Sequence, residues 1–246
     1  MIEKVRILKD IRYYESDNPN VEGQRMPQNL GDIFKPTKDI TYIGQRIARK
    51  LNELKYSFGE YDHIYINLTT DLKGNQIQIS NRNIDKRIKY INFGVNPLKF
   101  NSLTDERKDE VIKSLTIEIL RNISTDSNLQ LVNETAKQLS DFDTEIKIHY
   151  KTKEAMSYKI DIYYQIEPKG SFTKAIVEYK NKKTNFCYNG TVGIEFYEDI
   201  YPLIDTIALK DNKIIFTPQK SFRADMYNKR YKTPIELKID DLEKIN

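Results

Sequence analysis

Apolar positions recur every three to four residues in several segments of the first half of the chain, and after Asp143 they recur every two. From Thr41, the residues Ile43, Ile47, Leu51 and Leu54 mark one face of a helix that ends before Gly59. Ile112, Leu115, Ile119 and Ile123 mark a second. It opens on Asp105, Glu106, Asp109 and Glu110, where the helix dipole favours anions. A third is predicted from about Leu129 to Leu139 on Leu129, Val132, Ala136 and Leu139. Val5 to Tyr14 reads as a strand. Asn18 to Pro36, rich in Pro, Gly, Asn and Gln, reads as a long loop. Ile64–Leu68, a Lys73-Gly74-Asn75 turn, Ile77–Ile79 and Ile88–Phe93 predict a small antiparallel sheet.

Strands are predicted beyond Asp143 at Ile146–Tyr150, Tyr158–Tyr164, Ala175–Tyr179, Val192–Tyr197, Ile204–Leu209, Ile214–Phe216 and Ile235–Ile239. Asp211-Asn212 serves as a hairpin turn. The fold class expected is α+β, with N-terminal helices packed on a small antiparallel sheet and a multistranded, mainly antiparallel C-terminal sheet. The length suits two lobes, an α+β lobe over 1–125 and a β-rich lobe over 126–246, or one continuous domain.

Composition narrows the chemistry. The 246 residues hold two histidines, one cysteine and no tryptophan, and no phosphate or cofactor loop is recognisable. His63 and His149 have no second imidazole or thiol at ligand spacing, and Cys187 has no nearby histidine. No metal and no cofactor are therefore expected. The formal charge of +4 is small, with both signs interspersed, which is not the clustered basic face of a nucleic-acid binder. No run of apolar residues is long enough to span a bilayer, and the first residues alternate charge with aliphatics. A cytoplasmic protein without a membrane partner is expected.

Three constellations stand out. Asp161 on one strand and Glu178-x-Lys180 on the next resemble the PD-(D/E)xK nuclease signature, in which two carboxylates hold a divalent cation and the lysine stabilises charge at phosphate. That requires Asp161 and Glu178 to share a sheet face, which register decides. A solvated sheet face gives the same pattern. Glu195, Tyr197, Glu198, Asp199 and Tyr201 form an acidic, aromatic stretch suited to a protein interface. Lys220 to Lys232, with Arg223, Arg230, Phe222, Tyr227 and Tyr231, is its basic counterpart and suits a protein or a nucleic acid.

The runs Asp62–Thr69 and Ile91–Pro97, with the helix opening Asn101–Glu106, resemble the lysine- and tyrosine-rich α+β immunity proteins of bacterial toxin systems over about residues 60–123. The resemblance implies a protein without catalysis of its own that binds and blocks a cognate toxin. On that reading the stretch from Glu195 to Tyr201 meets the partner. A metal-dependent nuclease using Asp161, Glu178 and Lys180, and a nucleic-acid-binding accessory protein, are the alternatives.

Overall fold

The structure is a computed structural model that describes residues 5–17 and 25–245. The chain divides into two compact units, residues 1–144 and 145–246. Each contains helices and sheet, an α+β composition.

In the first unit, strand β1 (Asp10–Ser16) is followed by a two-residue strand β2 (Gln28–Asn29), helix α1 (Ile40–Glu53), and strands β3 (His63–Thr69), β4 (Ile77–Ile79) and β5 (Ile88–Gly94). The strand order is β2-β1-β3-β5-β4. The central strands β1, β3 and β5 are parallel, and only the edges β2 and β4 run antiparallel. This corrects the antiparallel sheet expected from the sequence. The first described helix, α1, follows β1. The physical reason is visible in β3, whose residues from Ile64 to Thr69 are all buried. A strand covered on both faces is the mark of a parallel sheet, and a turn such as Lys73–Asn75 cannot reveal which neighbour the next strand chooses. Here β4 pairs with β5. Gly94 allows it, because a Cβ there would lie 2.0 Å from the Lys73 carbonyl oxygen.

The face carrying Ile11, Tyr13, Ile64, Ile66 and Leu68 receives the helices. Gly44 brings α1 so close to β1 that a Cβ would sit 2.5 Å from the Ile11 carbonyl oxygen. After β5 come α2 (Pro97–Asn101), α3 (Asp105–Ile123) and α4 (Asp126–Phe142). Thr104 caps α3 by accepting from the Arg107 amide, and Tyr13 shares a 2.8 Å hydrogen bond with Thr116 of α3. The opposite sheet face is tyrosine-rich and amide-rich. Tyr14, Tyr65 and Tyr90 pack at ring separations of 5.1 and 5.6 Å. Asn67 donates to Asn92 across the β3–β5 register at 2.9 Å, with both side chains fully buried.

The first strand begins at Asp10 instead of Val5, and within the expected loop over 18–36 the stretch Gly31–Phe34 is held by one side chain. Residues 18–24 lie outside the described part. The fully buried Glu15 carboxylate accepts from four consecutive backbone amides, those of Gly31, Asp32, Ile33 and Phe34, at 3.2, 2.8, 3.0 and 2.9 Å. At the other end of the sheet the buried Asp62 receives Arg87 in a two-pronged contact at 3.1 and 2.7 Å.

The second unit contains a five-stranded antiparallel sheet of β6 (Ile148–Glu154), β7 (Tyr158–Tyr164), β8 (Thr173–Asn181), β9 (Cys187–Ile194) and a late strand β13 (Glu243–Ile245), in the order β13-β9-β8-β7-β6. A three-stranded antiparallel sheet holds β10 (Thr206–Lys210), β11 (Lys213–Thr217) and β12 (Ile235–Lys238). Asp211 and Asn212 both have positive φ, the turn geometry that joins β10 to β11 without splaying them. Two short helices, α5 (Ile200–Leu203) and α6 (Phe222–Asn228), complete the unit. Among the described residues no helix is long and apolar enough to cross a membrane.

Burial alone would raise the Glu15 carboxyl, but its four amide donors outweigh this and hold it below the usual carboxylate range. A depressed carboxyl stabilises the fold above its unfolded value, about pH 4.3, and that contribution is lost as pH falls through the lower folded value. Glu15→Ala, which strands four amides, should cost about 3 kcal/mol in urea unfolding at neutral pH. Glu15→Gln should flatten the fall in stability below about pH 4.

Candidate functional site

The acidic stretch and the basic stretch, separate in the sequence, are partners in the fold. A single turn of 3-10 helix over Tyr197–Asp199 leads into α5, and α6 packs against it. Ser221 caps α6 by accepting from the Ala224 amide at 3.1 Å. Asn228 Nδ2 and the Gln219 amide both donate to the Pro202 carbonyl, at 3.5 and 2.9 Å, and so tie the two helices together.

Asp199 is the anchor. It is 2% exposed, and its carboxylate accepts from the Phe196 amide at 3.1 Å, from Arg230 at 2.6 Å and from the Tyr231 hydroxyl. Tyr231 in turn accepts from the Glu195 amide at 2.7 Å, and Glu195 accepts from the other arm of Arg230 at 2.7 Å. The Arg230 guanidinium lies among the rings of Phe196, Tyr227 and Tyr231, with 5.2 to 5.8 Å to their centroids. Burial, together with the bond to Asp199, pushes the Tyr231 phenol up to about 12.

This network walls a cleft of about 820 Å³ between α5 and α6. Its lining includes Phe196, Glu198, Tyr201, Arg223, Met226 and Tyr227. Phe196, Met226 and Tyr227 are 48, 61 and 41% exposed. Of the five residues read as an interface, Glu198 and Tyr201 face this cleft, and Asp199 lines it while serving the internal network. Glu195 is committed to Arg230. Tyr197 is buried, stacked on Tyr164 at 6.0 Å. Residues 222–228, read as part of a basic connection, form α6 instead. Ser221 before Phe222 and Asp225 in the first turn are its start signals, and they lack the aliphatic stripe that would have drawn attention to them.

On the five-stranded sheet, register settles the parity question for the other constellation. Asp161 lies directly opposite Glu178, and Lys180 opposite Lys159, so Asp161, Glu178 and Lys180 share one face. Each carboxylate is already engaged. Asp161 accepts from Thr152 at 2.6 Å and pairs with Lys159 at 2.8 Å, while Glu178 accepts from Lys147 at 2.7 Å. Partial burial would raise Asp161, but Lys159 and Thr152 hold it below the usual carboxylate range. His149 bonds Thr152 at 2.8 Å and packs on Tyr163. His63 sits within 3.4 Å of Asp62, and Cys187 is a free thiol. Among the described residues no group of three or more His, Cys, Asp and Glu side chains is placed to hold a metal ion.

No family model, no curated protein and no solved structure matches this chain.

The network makes a stability prediction. Arg230→Met leaves Asp199 buried with only the Phe196 amide and Tyr231 as donors, and should cost about 2 kcal/mol. Glu195→Gln removes only a surface partner and should cost well under about 1 kcal/mol. Chemical denaturation of both variants and their double mutant checks this. Equal losses would place the weight on the surface pair instead.

Proposed function

We propose that the protein acts by binding another protein, and that the cleft between α5 and α6 is where the partner docks. One observation carries this reading: Phe196, Met226 and Tyr227 stay exposed around a cleft whose neighbouring charges, Arg230, Glu195 and Asp199, are paired with one another. Aromatic and methionine side chains are the groups enriched where protein interfaces gain their energy, and a pre-ordered wall lowers the entropy cost of docking. The resemblance of residues 60–123 to immunity proteins of bacterial toxin systems supports a cognate toxin as the partner. The protein then works as a stoichiometric inhibitor, with Glu198 and Arg223 supplying the polar contacts that fix orientation.

The alternative of a metal-dependent nuclease draws on the shared face of Asp161, Glu178 and Lys180. A divalent cation bridging the two carboxylates there has to displace Lys159 and Lys147. The alternative of a nucleic-acid-binding accessory protein has Lys220 to Lys232 to draw on, but Arg230 in that stretch is spent on Asp199 and Glu195.

Coexpression with the product of a neighbouring toxin-like gene, followed by light scattering on the eluted complex, should give a one-to-one assembly. Tyr227→Ala should weaken it about tenfold or more, whereas Glu195→Gln should change it little. A complex indifferent to Tyr227 and Met226 moves the interface elsewhere. Magnesium- or manganese-dependent cleavage of nucleic acid, lost in Glu178→Ala, replaces this reading with the nuclease.

A further inference from the structure

The end of the five-stranded sheet remote from the cleft gathers two hairpin turns and the last strand. The β6–β7 turn spans Ala155 to Ser157, and the β8–β9 turn spans Lys182 to Phe186. The Lys182 amide donates to the Ser157 carbonyl at 3.0 Å, and its ammonium to the Ala155 carbonyl at 2.9 Å, so the two turns form one surface. Strand β13 brings Ile245 opposite Cys187 and places the Lys244 ammonium 3.5 Å from the Phe186 ring centroid.

Two properties meet on this tip. The first is exposed apolar surface at its outermost points, with Met156 97%, Phe186 45% and Ile245 44% exposed. The second is charge: Lys153, Lys159, Lys180, Lys182, Lys183 and Lys244 stand against Glu154, Asp161, Glu178 and Glu243, with Lys182 paired to Glu154 at 2.6 Å and Lys159 to Asp161 at 2.8 Å. Lys153 and Lys159 lie three residues either side of Met156, about 10 Å back along each strand. An apolar apex therefore projects beyond a collar of lysines.

We propose that this tip docks on anionic lipid headgroups at a membrane surface, with Met156 entering the acyl boundary and the lysines reaching lipid phosphates and carboxylates. The binding is peripheral and needs no spanning helix. The identity of the cations selects lipid over the other anionic partners. All six are lysine and none is arginine, the residue favoured for two-pronged contacts with nucleic-acid phosphates and in protein interfaces, from which lysine is depleted. A diffuse anionic surface asks only for charge near it, with long stems that let the charge snorkel beside an inserted apolar group. The aromatic of the β8–β9 turn, Phe186, carries Lys244 over its ring instead of offering that face to a base.

Sedimentation of the full chain with vesicles tests the proposal, comparing phosphatidylcholine alone with phosphatidylcholine and phosphatidylserine at roughly two to one. Binding is expected only to the anionic vesicles, and should weaken as salt rises. Lys153→Glu combined with Lys183→Glu should lower the partition coefficient about tenfold or more, and Met156→Ser should lower it about fivefold. Tyr227→Ala, in the cleft, should leave it unchanged. All these positions are exposed, and circular dichroism verifies that the variants fold. Equal binding to neutral vesicles, no binding to anionic ones, or indifference to the lysine reversals overturns the proposal. So does displacement from vesicles by a single-stranded oligonucleotide that binds more tightly.

Discussion

A carboxylate taken out of water has to be given back its hydrogen bonds, and in this chain that requirement holds loops that have no regular structure of their own. Asp199 draws Arg230 and Tyr231 onto the turn that opens α5, and so closes the wall of the cleft. Glu15 draws four amides of the segment after β2 onto the end of β1. Asp62 holds Arg87 and the entrance to β5 against the start of β3. All three carboxylates are almost wholly inaccessible. Their desolvation is offset only because each finds several donors at once, and removing those donors leaves an uncompensated charge inside the protein. The loops are thus specified by sites that tolerate few alternatives.

The sequence revealed the elements better than their partners. Ile43, Ile47, Leu51 and Leu54 declare α1, and the alternation in Tyr158–Tyr164 declares β7, because both signals are local and periodic. That β3 lies parallel between β1 and β5 is a statement about contacts between distant residues, and no local pattern encodes it. The cleft was hidden for the same reason. Its anchor joins residues 31 apart, and each half, read alone, resembled a charged surface of one sign. Of the acidic stretch, Glu198, Asp199 and Tyr201 line the cleft. Phe196, Met226 and Tyr227, which carry its apolar character, have no periodicity to mark them. The register of β7 on β8 was equally out of reach, although the residue pattern had posed the right question about Asp161 and Glu178.

Internal pairing also changes what the charge of the chain means. Counted along the sequence, basic and acidic residues nearly balance and suggest no preference for any partner. In the second unit the balance is local and uneven. Around the cleft, Glu195 and Asp199 share Arg230, and on the sheet face Lys159 and Lys147 are spent on Asp161 and Glu178. Charges neutralised in this way cannot steer a partner, because their fields cancel within a few ångströms, inside the screening length of a physiological solution. Around Met156, Lys159 and Lys182 are paired in the same way, and Lys153, Lys180 and Lys183 are the lysines left to act at a distance. The register of β8 on β9 places them at the Lys180–Cys187 end of the sheet and the cleft beyond the Thr173–Ile194 end, about 25 Å away. A cleft held together by its own ion pairs and a tip where lysines outnumber carboxylates are two outcomes of one composition, separated by the length of a strand.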